Sequence, residues 1–176
     1  MKLPHFHPAI LLSCLAFFLS GHSPSASAAP TALPNFHTVA PGIYRGAAPT
    51  EEGLQQLRAK GIHTIIDLRI SPRQVRQEKA LAQRLGFTWI NLPMGSDPPT
   101  GHQVSTLLAA LKRAPQQPVF VHCQHGADRT GCMIGIWRET EQGWSFSRAW
   151  AEMRQDGFNP RWGKLTQAVR ERAGRG

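Results

Sequence analysis

Apolar and polar residues follow two different periods along this chain, and each change of period marks an element. Val39 to Arg45, broken at Pro41-Gly42, reads as a short hairpin. Thr50 is placed to cap a helix that carries Leu54 and Leu57 on one face and stops at Gly61. Ile62 to Leu68 is a short apolar run of the kind found in strands covered on both faces. Ser71-Pro72 sets a cap and a first-turn proline ahead of Val75, Leu81 and Leu85, with Gly86 as the stop. Phe87 to Leu92 is the next strand; a loop from Pro93 to Gly101 leads into a helix striped by Val104, Leu107, Leu108 and Leu111. Pro118 to Val121 is the most apolar strand, and three further helices are expected over Thr130–Gln142, Phe146–Gln155 and Arg161–Arg172.

Strands that alternate with helices pair in parallel, because parallel neighbours need crossover connections. The expected fold class is therefore α/β: a single domain with a central, mostly parallel sheet of about four to five strands flanked by helices. A length of 176 residues, 41% hydrophobic and 18% charged, suits one such domain, and three cysteines are too few for a disulfide-stapled scaffold. The formal net charge of +9 favours an anionic partner without choosing among a phosphoester, a membrane and nucleic acid. Lys2, the apolar run Ala9 to Leu19 and the small residues Ser23 to Ala29 form the pattern of a cleaved secretory signal peptide over residues 1–28, with Ala26-Ser27-Ala28 as the cleavage site. The run is shorter than the roughly twenty residues of a spanning helix, so no stable membrane anchor is expected. Leu12-Ser13-Cys14 offers a weaker lipoprotein alternative. The expected domain is thus 29–176, exported to the periplasm or secreted.

Ligands of such sheets bind beyond the carboxyl ends of strands, which points to the turn after Val121. It reads His122-Cys123-Gln124-His125-Gly126-Ala127-Asp128-Arg129-Thr130-Gly131. A turn this short between a strand and a helix can aim several backbone N–H groups at one point, and the helix start adds its positive dipole end. Gly126 permits a close approach or a backbone angle that a side chain forbids. Arg129 supplies a planar fork for two oxygens of a tetrahedral anion, each charge-assisted bond contributing about 1.5–3 kcal/mol. The same surroundings take a cysteine from its ordinary pKa of about 8.5 to roughly 3.5–7.5, which makes Cys123 a candidate nucleophile.

This loop resembles the HCxxGxxRTG signature of the cysteine-dependent protein tyrosine and dual-specificity phosphatases. Ile43-Tyr44-Arg45-Gly46, Asp67-Leu68-Arg69 and the element order extend the similarity to the compact bacterial dual-specificity-like members. The resemblance implies that Cys123 attacks phosphorus while Arg129 and the loop amides of Gln124, His125, Gly126, Ala127 and Asp128 hold the phosphoryl oxygens. It further implies that Thr130 supports the leaving sulfur, that His122 orients the loop, and that no metal or other cofactor is used. Such an enzyme needs a general acid on a separate loop. Asp97, in Gly95-Ser96-Asp97-Pro98-Pro99, is the candidate, because Asp67 closes a strand and Asp128 belongs to the loop itself.

The implied substrate is a phosphotyrosine- or phosphoserine-bearing protein or a small phosphoester, turned over by a monomer. The alternatives are a silent phosphate-binding module and an inositol phosphate phosphatase, the latter weakened by Ala127-Asp128 where inositide-directed relatives carry basic residues. A nucleic-acid partner is not expected, since interleaved aromatic and basic residues are lacking. A metal held by His122, Cys123 and His125 is awkward, because adjacent strand residues point to opposite faces. Arg45 and Arg69 are candidates either for a second phosphate or for a structural ion pair with Asp67. Trp137, Trp144, Trp150 and Trp162 are read as core and helix-packing residues, and Cys132 as core or as a reversible disulfide partner of Cys123. The basic tail Arg170 to Gly176 is read as a solvated end.

Overall fold

The structure is a computed structural model that describes residues 31–172 together with Met1. The signal-peptide and lipoprotein readings, and the last four residues of the basic tail, fall outside the described residues. Eleven elements follow in the order β1 (His37–Ala40), β2 (Ile43–Gly46), α1 (Glu51–Ala59), β3 (Thr64–Asp67), α2 (Pro72–Arg84), β4 (Thr88–Asn91), α3 (Gly101–Lys112), β5 (Val119–His122), α4 (Asp128–Gln142), α5 (Phe146–Gln155) and α6 (Gly163–Arg170). The expected α/β sheet is present, with five strands in the order β1-β2-β5-β3-β4. All pairs are parallel except the β1–β2 hairpin. Gly42 makes that hairpin possible: its φ is +75°, and a Cβ there would stand 2.2 Å from the Ala114 carbonyl oxygen.

Alternation along each strand sorts side chains to two helical layers. Ile66, Val119 and Val121 join the core under α3 to α6, whereas Ile65 and Phe120 join a second core under α1 and α2. These side chains are wholly or almost wholly buried, each contributing roughly 1.5–3 kcal/mol by leaving water. Helix α4 is buried on nearly every side because it packs against α3, α5, α6 and β5, which explains its lack of a one-sided apolar stripe.

Helix boundaries follow local chemistry. Thr50 caps α1 as expected, its side chain accepting from the Gly53 amide. Ser71 precedes α2 and Pro72 opens it, but the serine side chain makes no capping hydrogen bond. Helix α3 begins on a reciprocal capping box between Thr100 and Gln103 that the sequence reading passed over. Helix α4 begins at Asp128, two residues before the expected Thr130, because the phosphate-type turn runs directly into the helix. Helix α6 is shorter than expected at both ends. Among the described residues no helix is long and apolar enough to cross a membrane.

The register matters most for function. Gly46 pairs with His122, His122 with Asp67, and Asp67 with Asn91. The carboxyl ends of four strands thus finish in one row, and the segments that leave them rise on the same edge of the sheet.

Candidate active site

The loop after β5 is shaped by what its carbonyls bind. The Gln124 carbonyl accepts from the Ala48 amide at 3.3 Å and the His125 carbonyl from Asn35 Nδ2 at 3.1 Å. The Gly126 carbonyl accepts from Arg45 Nη2 at 2.7 Å, and the Ala127 carbonyl accepts from the Gly131 amide at 2.7 Å and from Arg45 at 3.4 Å. With its carbonyls fixed outward, the loop leaves its amides for the inner side. Gly126 has φ +72°, and a Cβ on it would lie 2.3 Å from the Gly46 carbonyl carbon, so this position needs glycine on two counts.

Cys123 lies at the bottom of the loop and is only 2% exposed. Burial pushes its thiol up, but hydrogen bonds from the Thr130 hydroxyl and the Thr130 amide, the Arg129 charge and the His125 amide outweigh it, and the thiol is held below its ordinary value. The Thr130 hydroxyl is buried and has no other hydrogen-bond partner among the described residues, so it is available to the sulfur. Arg129 makes one long contact, 3.5 Å to the Met94 carbonyl, and its guanidinium lines a cleft of about 520 Å³ above the loop. Ile70, Gln74, Gly95, Gln124 and Trp162 also line that cleft.

Behind the loop lies a charged network. His122 Nε2 pairs with Glu78 Oε1 at 2.8 Å, and Nδ1 stands 3.3 Å from the Cys123 carbonyl. Arg69 binds both oxygens of Asp67 and also Glu78. Burial disfavours the His122 cation, yet Glu78 and Asp67 together raise its pKa; Glu78, despite its own burial, is lowered by His122 and then by Arg69. Ligand atoms of Asp67, Glu78 and His122 lie within 4.8 Å of one another, as they would around a metal ion, but the Arg69 guanidinium already supplies the positive charge to both carboxylates. The alternative metal set of His122, Cys123 and His125 is not brought together: both ring nitrogens of His122 are engaged elsewhere, and His125 is exposed.

Several single-residue expectations change. Arg45 is fully buried, bonded to Asp156 Oδ2 at 2.7 Å and to the loop carbonyls, so it is neither a second-phosphate ligand nor a partner of Asp67. Arg69 lines the cleft and has the expected partner Asp67, with Glu78 added. Asp128 accepts from the Asn159 amide at 2.8 Å and ties the loop to the α5–α6 connection. Cys123 and Cys132 are both free in this structure; Cys132 turns to the Leu165 carbonyl in the core, the first of its two readings, where burial pushes its thiol up to about 12. Trp137 is core, but Trp144 is half-buried between Arg138 and Arg148, and Trp162 is a cleft wall. Asp97 is exposed and paired with Lys164 Nζ at 2.6 Å, while its neighbours Gly95 and Ser96 line the cleft.

Sequence reasoning missed Asn35, Glu78, Asp156 and Trp162. Glu78 carried a signal: it falls at helical spacing between Val75 and Leu81, a charged residue on the face that α2 turns to the sheet. Asn35 and Asp156 carried none: Asn35 reaches the loop at His125 from 90 positions away, and Asp156 acts through Arg45, 111 positions from it.

A parallel sheet that ends in an amide-lined loop around a lowered thiol defines a class of protein, the cysteine-dependent phosphoester hydrolases. A family model described as a DSP-PTPase phosphatase fused to NAD+ kinase matches residues 29–171, and the chain belongs to this dual-specificity phosphatase family. The inositol diphosphatase DSP3 of Arabidopsis thaliana is 31% identical over 147 residues, spanning 81% of this chain and 70% of that protein. The dual specificity protein phosphatase TpbA of Pseudomonas aeruginosa is 27% identical over 154 residues, spanning 81% and 68%. Its crystal structure aligns with a TM-score of 0.67 at 25% identity, covering 78% of this chain and 84% of that one. The core catalytic domain of the PP-IP phosphatase SIW14 from S. cerevisiae aligns at 0.66 with 26% identity, covering 79% and 86%. The protein is accordingly a cysteine-based hydrolase of phosphoesters.

Two outcomes follow from this geometry. Iodoacetamide at neutral pH should modify Cys123 and spare Cys132, and Arg45→Met, which removes a charge near the sulfur and two carbonyl contacts, should slow that reaction by about tenfold. Peptide mapping by mass spectrometry reads both; equal labelling of the two cysteines would contradict the assignment. The Glu78–His122 pair gives a pH signature. The lowered Glu78 contributes stability above its ordinary 4.5 and loses it as pH falls through the lowered value; the raised His122 contributes fully below its ordinary 6.5 and loses it as pH rises through the raised value. The pair therefore stabilises most between 4.5 and 6.5, and Glu78→Gln should lower Tm there and flatten its pH dependence. Parallel melting profiles for variant and wild type would show that the pair is not coupled to folding.

Proposed function

We propose that the chain is an exported phosphatase of phosphotyrosine-bearing proteins that works through a phosphocysteine intermediate. The observation that carries the mechanism is the lowered thiol of Cys123 at the base of the amide-lined loop, with the fork of Arg129 free above it. The Cys123 thiolate attacks phosphorus, forming the S–P bond as the P–O bond to the leaving group breaks. Arg129 and the amides of Gln124 to Asp128 hold the three non-bridging oxygens, whose charge stays constant while the attacking and leaving atoms exchange it. Asp97 leaves Lys164, takes up a proton from solvent as it enters the cleft and gives that proton to the departing oxygen. Asp97 then takes a proton from water as that water attacks phosphorus, the P–S bond breaks, and phosphate and thiolate are regenerated. Thr130 supports the thiolate as it leaves, and His122 fixes the start of the loop.

The cleft walls favour an aromatic phosphoester. Ile70 is 58% exposed, the one large apolar side chain described as exposed apart from Met1, and it lines the cleft together with Trp162. An aromatic contact adds about 0.5–1.5 kcal/mol beyond area burial. The second reading, an inositol diphosphate substrate, draws on the printed activities of DSP3 and SIW14. Against it, Arg69 is already neutralised by Asp67 and Glu78, leaving Arg129 as the uncommitted cation in the lining.

Turnover of p-nitrophenyl phosphate, a phosphotyrosine peptide and an inositol diphosphate, measured with chelator present, tests these statements. Cys123→Ser should abolish all turnover and still bind vanadate. Asp97→Asn should cost about 10²–10⁴-fold on the peptide and much less on p-nitrophenyl phosphate, whose leaving group needs little protonation. Equal loss on both substrates removes Asp97 from the acid role, and a preference for the inositol diphosphate overturns the protein substrate. Export has its own readout: the native protein should begin at Ala29 in the extracytoplasmic fraction. A chain retaining residues 1–28 in the cytoplasm overturns it.

A further inference from the structure

A second cavity of about 210 Å³ adjoins the cleft, between the start of α1 and α2. The two share Arg69 and Gln74 as lining residues, so they adjoin across these two side chains. The second cavity is large enough for one long side chain. Its chemistry is divided. Pro49, Leu54 and Leu81 make an apolar floor, and the carboxylate of Glu51 stands at the exposed rim. Among the described residues Glu51 enters no ion pair, whereas the other charges at this wall, Arg69 and Glu78, are paired with each other. An apolar trough ending in a carboxylate without a side-chain partner among the described residues matches a side chain with an aliphatic stem and a cationic head.

We propose that this cavity is a subsite for a lysine or arginine of the substrate polypeptide, flanking the phosphorylated residue. The inference rests on the protein-substrate reading given above and goes beyond it by naming a recognition element. Because the two cavities adjoin across Arg69 and Gln74, a chain with its phosphate on the loop can lay a neighbouring side chain over these residues into the trough. A carboxylate at the rim also repels additional phosphates, so the same residue that attracts a basic peptide disfavours a polyphosphorylated ring. Glu51 acts in specificity alone: it contacts neither the loop nor the reacting atoms, and it is exposed on the first turn of α1, where its removal leaves the core intact.

The test is a set of phosphotyrosine peptides with lysine moved singly through the flanking positions on both sides, assayed with wild type, Glu51→Gln and Glu51→Lys. The expected result is one position at which lysine raises kcat/KM by about fivefold, a gain lost in E51Q and replaced in E51K by a preference for glutamate there. Turnover of p-nitrophenyl phosphate stays unchanged in both variants. A flat positional profile, or a lysine preference that survives in E51Q, overturns the subsite and leaves the phosphatase reading intact. No turnover of any peptide, beside ready turnover of p-nitrophenyl phosphate, overturns the protein-substrate reading and the subsite with it.

Discussion

Consecutive peptide units can present their N–H groups to one point only if their carbonyls turn the other way, and a buried carbonyl without a donor costs about 1–3 kcal/mol. The loop after β5 meets this constraint with donors brought from elsewhere: Ala48 from the end of β2, Asn35 from the segment before β1, and Arg45 from β2 itself. Arg45 is the central one, because a single guanidinium serves both Gly126 and Ala127 while Asp156 balances its charge. Burying that pair is unfavourable in isolation. It is tolerated here because the guanidinium satisfies loop carbonyls and places a positive charge near Cys123. The sheet order makes the arrangement possible, since β2 lies beside β5 with Gly46 opposite His122.

The second charged network works on the other side of the same strand end. His122 has both ring nitrogens engaged, one by Glu78 and one beside the Cys123 carbonyl, and its ring stacks on Phe120 at 5.5 Å. Replacing buried ion pairs by apolar residues often leaves stability unchanged or improved, so stability alone does not account for Asp67, Arg69 and Glu78 beneath the site. Their geometric effect is clear. Asp67 Oδ1 accepts from the Arg69 amide and ends β3, Arg69 joins Asp67 to Glu78, and Glu78 fixes the imidazole at which the loop begins. The direction in which Cys123 leaves β5 is thereby tied to two neighbouring elements.

What was legible in the sequence was local. Helices with both ends signed by caps, proline or glycine were placed within a few residues, and the spacing from His122 to Gly131 identified the loop because its chemistry lies in adjacent residues. Strand interiors were legible as apolar runs, though their ends were not, since Ile62 and Leu68 are as buried as the residues that pair between them. What stayed hidden was the support. Asn35 and Arg45 reach the loop from two separate regions and Asp156 holds Arg45 from a third, and no spacing in one sequence announces such a meeting. Glu78 and Trp162 were intermediate: Glu78, on an otherwise apolar helix face, carries a signal in its spacing alone, and Trp162, an aromatic residue outside any regular stripe, reads as packing.

The same division between fixed and free parts governs the loop that carries Asp97. Its stem is held on one side by the Met94 amide bonded to the Leu68 carbonyl, with the Met94 side chain buried. On the other side, the Thr100–Gln103 capping box is joined back to the Pro93 carbonyl by Gln103 Nε2 at 2.7 Å. Between these anchors Gly95 has open space around it, and Asp97 touches the rest of the protein through one exposed ion pair with Lys164. An exposed pair in water is weak and screened by salt, so it sets a resting position without locking it. A proton donor of this enzyme class must approach the leaving oxygen for one step and accept a proton from water in the next. A short segment pinned at both stems and held in the middle by a weak contact is suited to that exchange, because residues 95–98 are exposed and their displacement breaks no buried hydrogen bond, while the buried Pro99 belongs to the fixed stem.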